Sequence, residues 1–216
     1  MMPGDKAHIQ DIKRAGKKLS QANKVLIMLH GRGGSAEDML TLSQYFPLEN
    51  FALLAPQATH HTWYPYSFMA PPAQNEPWLS SALDLLHTMV HDISQEGIAP
   101  ENIYWLGFSQ GACLMLEAVT RQAMRYGGIA AFTGGLIGNK IYAENYQGDF
   151  KQTPVFIGSS NPDMHVPIER VYATSNILRD MHADVTEKIY DGMGHTINQD
   201  EIEQTIKLIF NPASKS

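Results

Sequence analysis

Along the chain, short unbroken apolar runs alternate with longer stretches in which apolar positions recur every three or four residues. The first pattern suits strands buried on both faces, and the second suits helices with one apolar stripe. Residues 25–29, 51–55, 103–106, 128–132, 155–157 and 185–190 are the expected strands. Helical spacing marks 8–20, where Ile9 and Ile12 share a face. It also marks the stretch from Leu79 through Ala82, Leu83, Leu86, Val90 and Ile93 to about Glu96, and then 110–126, 167–181 and 198–210. Ser35 followed by Asp38, and Asn198 followed by Glu201, carry the spacing of reciprocal N-caps. Pro167 suits a first helical turn, where its missing N–H is not needed. Such alternation predicts a mostly parallel sheet of about six or seven strands with helices on both faces. Residues 58–77 form a long connection rich in aromatics and prolines. No repeat, low-complexity tract or Gly/Ser-rich linker divides the chain, so residues 1–216 are expected to form one domain.

Composition narrows the function classes. The content is 44% hydrophobic and 18% charged, as in a globular domain, and the formal net charge is −6. A nucleic-acid partner is excluded on that balance, because no block of Lys and Arg is present to displace counterions. Lys13, Arg14, Lys17 and Lys18 read more simply as a solvated face. Cys113 is the only cysteine, which rules out an internal disulfide. Residues 1–19 lack the apolar core of a secretory signal, and no apolar run approaches a membrane span, so a reducing cytoplasm is the expected compartment.

In parallel sheets the working groups collect at the carboxyl ends of the strands. The strand at 103–106 runs into Gly107-Phe108-Ser109-Gln110-Gly111 just before a helix. A sharp turn there lifts the serine hydroxyl above the sheet, and glycines on either side leave room for the backbone. Ser109 is therefore the candidate nucleophile. The first strand ends in His30-Gly31-Arg32-Gly33-Gly34. Its backbone can fold toward a substrate carbonyl, so the amides of Arg32 and Gln110 are the candidate oxyanion-hole donors. The loop lacks the spacing of either common phosphate-binding glycine motif. His30 reads as a structural histidine, and the role of the Arg32 side chain stays open.

A serine needs a histidine to take its proton and a carboxylate to orient that histidine. Of nine histidines, only His165, His182 and His195 follow both Ser109 and Asp163. His195, in a glycine-bearing loop after the last strand, is the candidate base. His165 lies too near Asp163, and His182 sits at a helix end. Asp163, after the strand at 155–157, is the candidate acid. Asp191 reads as a turn residue, and Asp184 lies at the wrong end of its strand. Trp63, Tyr64, Phe68, Met69 and Met164 are the candidate substrate contacts, although aromatics at 63–68 could equally fill the loop's own core. Cys113 reads as a small buried residue. His60-His61 and His87/His91 lack the further ligands of a zinc site, so no metal is expected.

Taken together, Leu29-His-Gly-Arg-Gly-Gly34, Gly107-Phe-Ser-Gln-Gly-Ala112, Asp163-Met-His-Val-Pro167 and Gly194-His195 resemble the phospholipase/carboxylesterase family of α/β-hydrolases. That family includes acyl-protein thioesterases and small bacterial carboxylesterases. The resemblance implies an α/β-hydrolase fold, a Ser-Asp-His triad, no cofactor, a shallow acyl cleft and no large cap domain. Two departures stand out. Trp63-Tyr64-Pro65-Tyr66 replaces the family's Trp-aromatic-Asp run, and Ser160-Asn161-Pro162-Asp163 replaces its Gly-Asp-x-Asp. These differences place the chain nearer the bacterial esterase branch. The expected activity is hydrolysis of a small carboxylic ester. The alternatives are a thioesterase, a lysophospholipase or amidase, or a non-catalytic ligand-binding relative. A homodimer is left open.

Overall fold

A computed structural model describes residues 7–211. Residues 1–6 and 212–216, included in the expected domain, lie outside the described residues, as does the first part of the stretch read for a signal. Seven strands are present among the described residues: β1 (Ile12–Gly16), β2 (Lys24–Leu29), β3 (Phe51–Pro56), β4 (Ile103–Phe108), β5 (Gly128–Phe132), β6 (Pro154–Asn161) and β7 (Asp184–Asp191). They join one sheet in the order β1-β3-β2-β4-β5-β6-β7. Only β1 runs antiparallel to its neighbour.

The helices are α1 (Ala36–Leu42), α2 (Trp78–Gln95), α3 (Gln110–Arg121), α4 (Ile168–Asp180) and α5 (Gln199–Thr205). Alternate residues of each strand supply the two halves of the core. Val25, Ile27 and Leu29 of β2, with Trp105, Ile129 and Ile157, pack against α2, α3 and α4. Leu26 and Met28, with Leu106, Phe132 and Phe156, pack against α1 and the C-terminal helical segment. This is why the central strands read as unbroken apolar runs: both of their faces are covered.

Residues 8–20 do not form the expected helix, and only a short 3-10 turn at Leu19–Gln21 touches the range. Ile12 to Gly16 pair with Pro56 to Ala52 of β3, and Ile9 is exposed rather than packed. Helical spacing over two apolar residues is a weak preference, and completing the open edge of β3 with backbone hydrogen bonds overrides it. α3 is shorter than expected, ending where Gln122 leaves helical dihedrals. Residues 206–210 continue from α5 as a single π-turn. Both expected caps are present. Ser35 and Asp38 bond reciprocally at the start of α1, as do Asn198 and Glu201 at the start of α5. Pro167 is the N-cap of α4, one position before the first turn.

Glu201 is fully buried against Gly158 of β6. Burial raises its carboxyl pKa from 4.5 to about 7, opposed by the Asn198 N–H and reinforced by the charge of Asp200. A carboxyl whose folded pKa lies above its unfolded one stabilises the fold fully below the unfolded value and loses that contribution as pH rises through the folded value. Between about pH 4.5 and pH 7, Glu201 should therefore remove stability, on the order of 1–3 kcal/mol. Glu201→Gln keeps a capping oxygen but cannot ionise. Thermal melts of both proteins should give a stabilising gap for the variant that widens from pH 5 to pH 8.

Candidate active site

β4 and α3 meet at Ser109, whose backbone sits at φ 54 and ψ −120. A side chain rarely adopts such angles, and here the flanking elements impose them. The Ser109 N–H donates to Phe132 O of β5 at 2.9 Å, which fastens the turn to the sheet. A Cβ on Gly107 would stand 2.8 Å from Ala112 Cα, and one on Gly111 would collide with the carbonyls of Leu29 and His30. Glycine is thus required on both sides for steric reasons.

The two other expected groups come from the ends of β6 and β7. His195 Nε2 lies 2.8 Å from Ser109 Oγ, and its Nδ1 lies 2.8 Å from Asp163 Oδ2. The remaining Asp163 oxygen accepts from the N–H groups of His165 (2.8 Å) and Val166 (2.9 Å). Burial alone would raise the Asp163 pKa. The bonds from His195 and these two N–H groups outweigh it and hold the carboxyl below its usual range. Asp163 is thus an anion whose partners are already in place. Of the rivals to Asp163 and His195, Asp191 is exposed, His182 pairs with Asp149 at 3.0 Å, and His165 packs edge-on against His195 with ring centroids 4.7 Å apart. Sequence inspection missed Ser160. Its hydroxyl accepts from Gly194 N–H at 3.0 Å and reaches Pro162 O at 3.2 Å, so one buried side chain ties the His195 loop to the Asp163 loop.

The loop after β2 packs directly on the turn, since a Cβ on Gly31 would lie 3.3 Å from Ser109 Cβ. His30 is buried and structural. Its Nδ1–H donates to Gly31 O (2.7 Å), and its Nε2 accepts from Ala58 N–H (3.1 Å). Burial lowers its pKa, which keeps the ring neutral for both bonds. The Arg32 side chain borders the cleft over Ser109 and donates to residues 62–66.

A cleft of about 500 Å³ opens over Ser109, lined in part by Tyr64, Phe68, Cys113, His165 and Val166. Tyr64 and Phe68 are brought to it as expected. Trp63 is not: it is fully buried, donates its indole N–H to His30 O at 2.9 Å, and packs at a tilt against the rings of His30 and His8. Met69 packs on the core. Met164 is 85% exposed and absent from the cleft wall. These corrections share one cause. Spacing along an irregular loop does not reveal side-chain direction, whereas on a regular helix it does: Cys113, expected only as a small buried residue, lies one turn after Ser109 on α3 and lines the cleft. The Cys113 thiol is pushed up to about 12 by burial and stays protonated.

A strained serine at a strand–helix turn, in hydrogen-bonded sequence with histidine and aspartate above a parallel sheet, defines an α/β-hydrolase. Residues 11–211 match the phospholipase/carboxylesterase family, and the chain belongs to it. A phospholipase/carboxylesterase structure from Dyadobacter fermentans is 52% identical, covers 94% of this chain and 98% of its own, and superposes with a TM-score of 0.93. A probable carboxylesterase of Arabidopsis thaliana is 27% identical over 92% of this chain and 82% of its own length. Acyl-protein thioesterase 1 of Kluyveromyces lactis is 26% identical over 91% and 95%.

The packing role of Trp63 can be tested directly. Trp63→Phe should cost about 1–3 kcal/mol, because His30 O loses its donor. A lowered melting temperature with unchanged preference among ester substrates would bear this out. A changed acyl preference would return Trp63 to the binding surface.

Proposed function

We propose that the chain hydrolyses carboxylic esters through an acyl-enzyme on Ser109. The observation that carries this is the pair of 2.8 Å contacts joining Ser109, His195 and Asp163. Ser109 Oγ attacks the ester carbonyl while His195 Nε2 takes its proton. Asp163 holds the ring with Nε2 toward the serine and stabilises the imidazolium that forms. The negative oxygen of the tetrahedral intermediate is met by the backbone N–H groups of Arg32 and Gln110. As the first residue of α3, Gln110 has an N–H without an intrahelical acceptor. The intermediate collapses, the C–O bond to the alcohol breaks, and His195 returns the proton to the leaving oxygen. Water then repeats the sequence on the acyl-enzyme with His195 again as base, releasing the acid.

Tyr64, Phe68, Val166 and Cys113 give the cleft an apolar wall suited to a short or medium acyl chain. A thioester is a second substrate class, favoured by the likeness to acyl-protein thioesterase 1 of Kluyveromyces lactis. The same attack serves both, since only the leaving atom changes.

With p-nitrophenyl esters of increasing length, turnover should peak at short to medium chains. Ser109→Ala and His195→Ala should each lower kcat by about ten-thousand-fold or more with the fold intact, and Asp163→Asn somewhat less. Persistent turnover by Ser109→Ala would overturn the proposal. A silent Asp163→Asn beside an impaired Asp191→Asn would reassign the acid.

A further inference from the structure

We infer that Thr62 is a positioning residue that holds the oxyanion hole in shape. The inference rests on the assignment above of the Arg32 and Gln110 N–H groups to that hole. These two residues lie on different loops, yet their side chains converge on one short segment, residues 62–66. Arg32 donates from Nη1 to Thr62 Oγ1 (2.9 Å) and Pro65 O (3.0 Å), and from Nη2 to Tyr64 O (2.9 Å) and Tyr66 O (2.8 Å). Gln110 donates from Nε2 to Tyr64 O (2.8 Å) and accepts at Oε1 from Trp63 N–H (3.0 Å). The Thr62 hydroxyl joins the two sets. It accepts from Arg32, and its single proton faces Tyr64 O at 3.1 Å and Gln110 Oε1 at 3.3 Å.

The backbone at residue 32 needs such a fastening. It lies in a Gly-Arg-Gly-Gly run, where the neighbouring residues have no side chains to restrict the backbone; Gly33 N–H donates to His61 O at 2.8 Å, and the Arg32 side chain adds the ties to residues 62–66. No carboxylate pairs with Arg32 among the described residues, which leaves the oxygens of residues 62–66 as the acceptors of its guanidinium. A planar fork with four bonded N–H groups transmits position well. The segment is itself anchored elsewhere. His8 Nε2 donates to Trp63 O (2.8 Å), the Trp63 indole donates to His30 O, and Tyr66 N–H donates to Asn75 Oδ1 (2.8 Å). Removing the Thr62 hydroxyl should therefore loosen Arg32 and Gln110 without collapsing the segment. Because the hole works only when its donors meet the developing anion at hydrogen-bond distance, the loss should fall on the transition state.

The test compares Thr62→Val, which is close in shape, with Thr62→Ser, which keeps the hydroxyl. Each is assayed with p-nitrophenyl butyrate, with the matching thionoester, and with a trifluoromethyl ketone inhibitor. Ser109 adds to that ketone, its proton passes to His195, and the carbonyl oxygen becomes an anion in the hole. For Thr62→Val, kcat on the ester should fall about tenfold, less than the hundredfold or more lost with an entire donor. KM should stay within about twofold, the ketone Ki should rise in step with the loss in kcat, and Thr62→Ser should restore both. The thionoester should lose little, since its sulfur is a weak acceptor. Unchanged kcat and Ki in a folded Thr62→Val protein would overturn the inference, as would equal losses on ester and thionoester. If Thr62→Val folds poorly, Thr62→Ala measured against Thr62→Ser makes the same comparison. Ester hydrolysis that survives in Ser109→Ala would instead overturn the assignment of the site itself.

Discussion

The site depends on one backbone constraint, the turn that holds Ser109 at positive φ between β4 and α3. Left to itself a serine would relax out of that conformation, a difference on the order of 1–3 kcal/mol. It persists because both flanking elements are immobilised. β4 is buried between β2 and β5, every residue of α3 from Gln110 to Thr120 is buried, and Ser109 N–H is fastened to β5. The result raises the hydroxyl above the carboxyl edge of the sheet and aims the N-terminus of α3 at the same point. Negative charge forming near that helix end is stabilised by its unpaired N–H groups.

Around this turn the loops are held by buried polar side chains rather than by apolar packing alone. His8, His30, Asn75 and Gln110 are each nearly inaccessible and each bonded to backbone atoms of residues 57–67. Burial keeps His8 and His30 neutral, which lets each ring donate at one nitrogen and accept at the other. An ionised ring would lose its acceptor. A loop built this way is rigid, because every displaced bond would leave a buried polar atom without a partner. Rigidity of this kind suits a site that must present fixed donors to a charge that exists only briefly.

The departures from the family's usual sequence fall in loops that are tied together by hydrogen bonds. Ser160 stands where the family pattern has glycine, and its hydroxyl connects the loops carrying Asp163 and His195. Pro65 stands where the family's run carries aspartate and brings no carboxylate, and the Arg32 guanidinium meets Thr62 Oγ1 and the carbonyls of Tyr64, Pro65 and Tyr66. The two changes thus affect how the loops are tied together, while the contacts among Ser109, His195 and Asp163 stay within hydrogen-bond distance.

Much of this was legible in the sequence, for reasons that differ by element. Apolar runs located β2 to β6, because a doubly covered strand must be apolar throughout; β7 was also expected, although as an edge strand it carries Thr186, Glu187 and Lys188. The two reciprocal caps were readable because their chemistry spans only four residues. Ser109, His195 and Asp163 were picked out by position relative to strand ends, and the fold does bring them together. β1 was misread as a helix, because its pairing with β3 is an edge contact made at long range and leaves no periodic trace. Side-chain directions in the irregular loops were equally hidden: in residues 58–77 Trp63 entered the core and Thr62 met both Arg32 and Gln110, and after β6 Met164 faced solvent. The sequence by itself determined the layered fold and the residues proposed for nucleophilic chemistry, which follow from periodicity and from residue type at strand ends. Only the tertiary structure decided what shapes the cleft and braces its loops, since those contacts join residues far apart in the chain through irregular backbone.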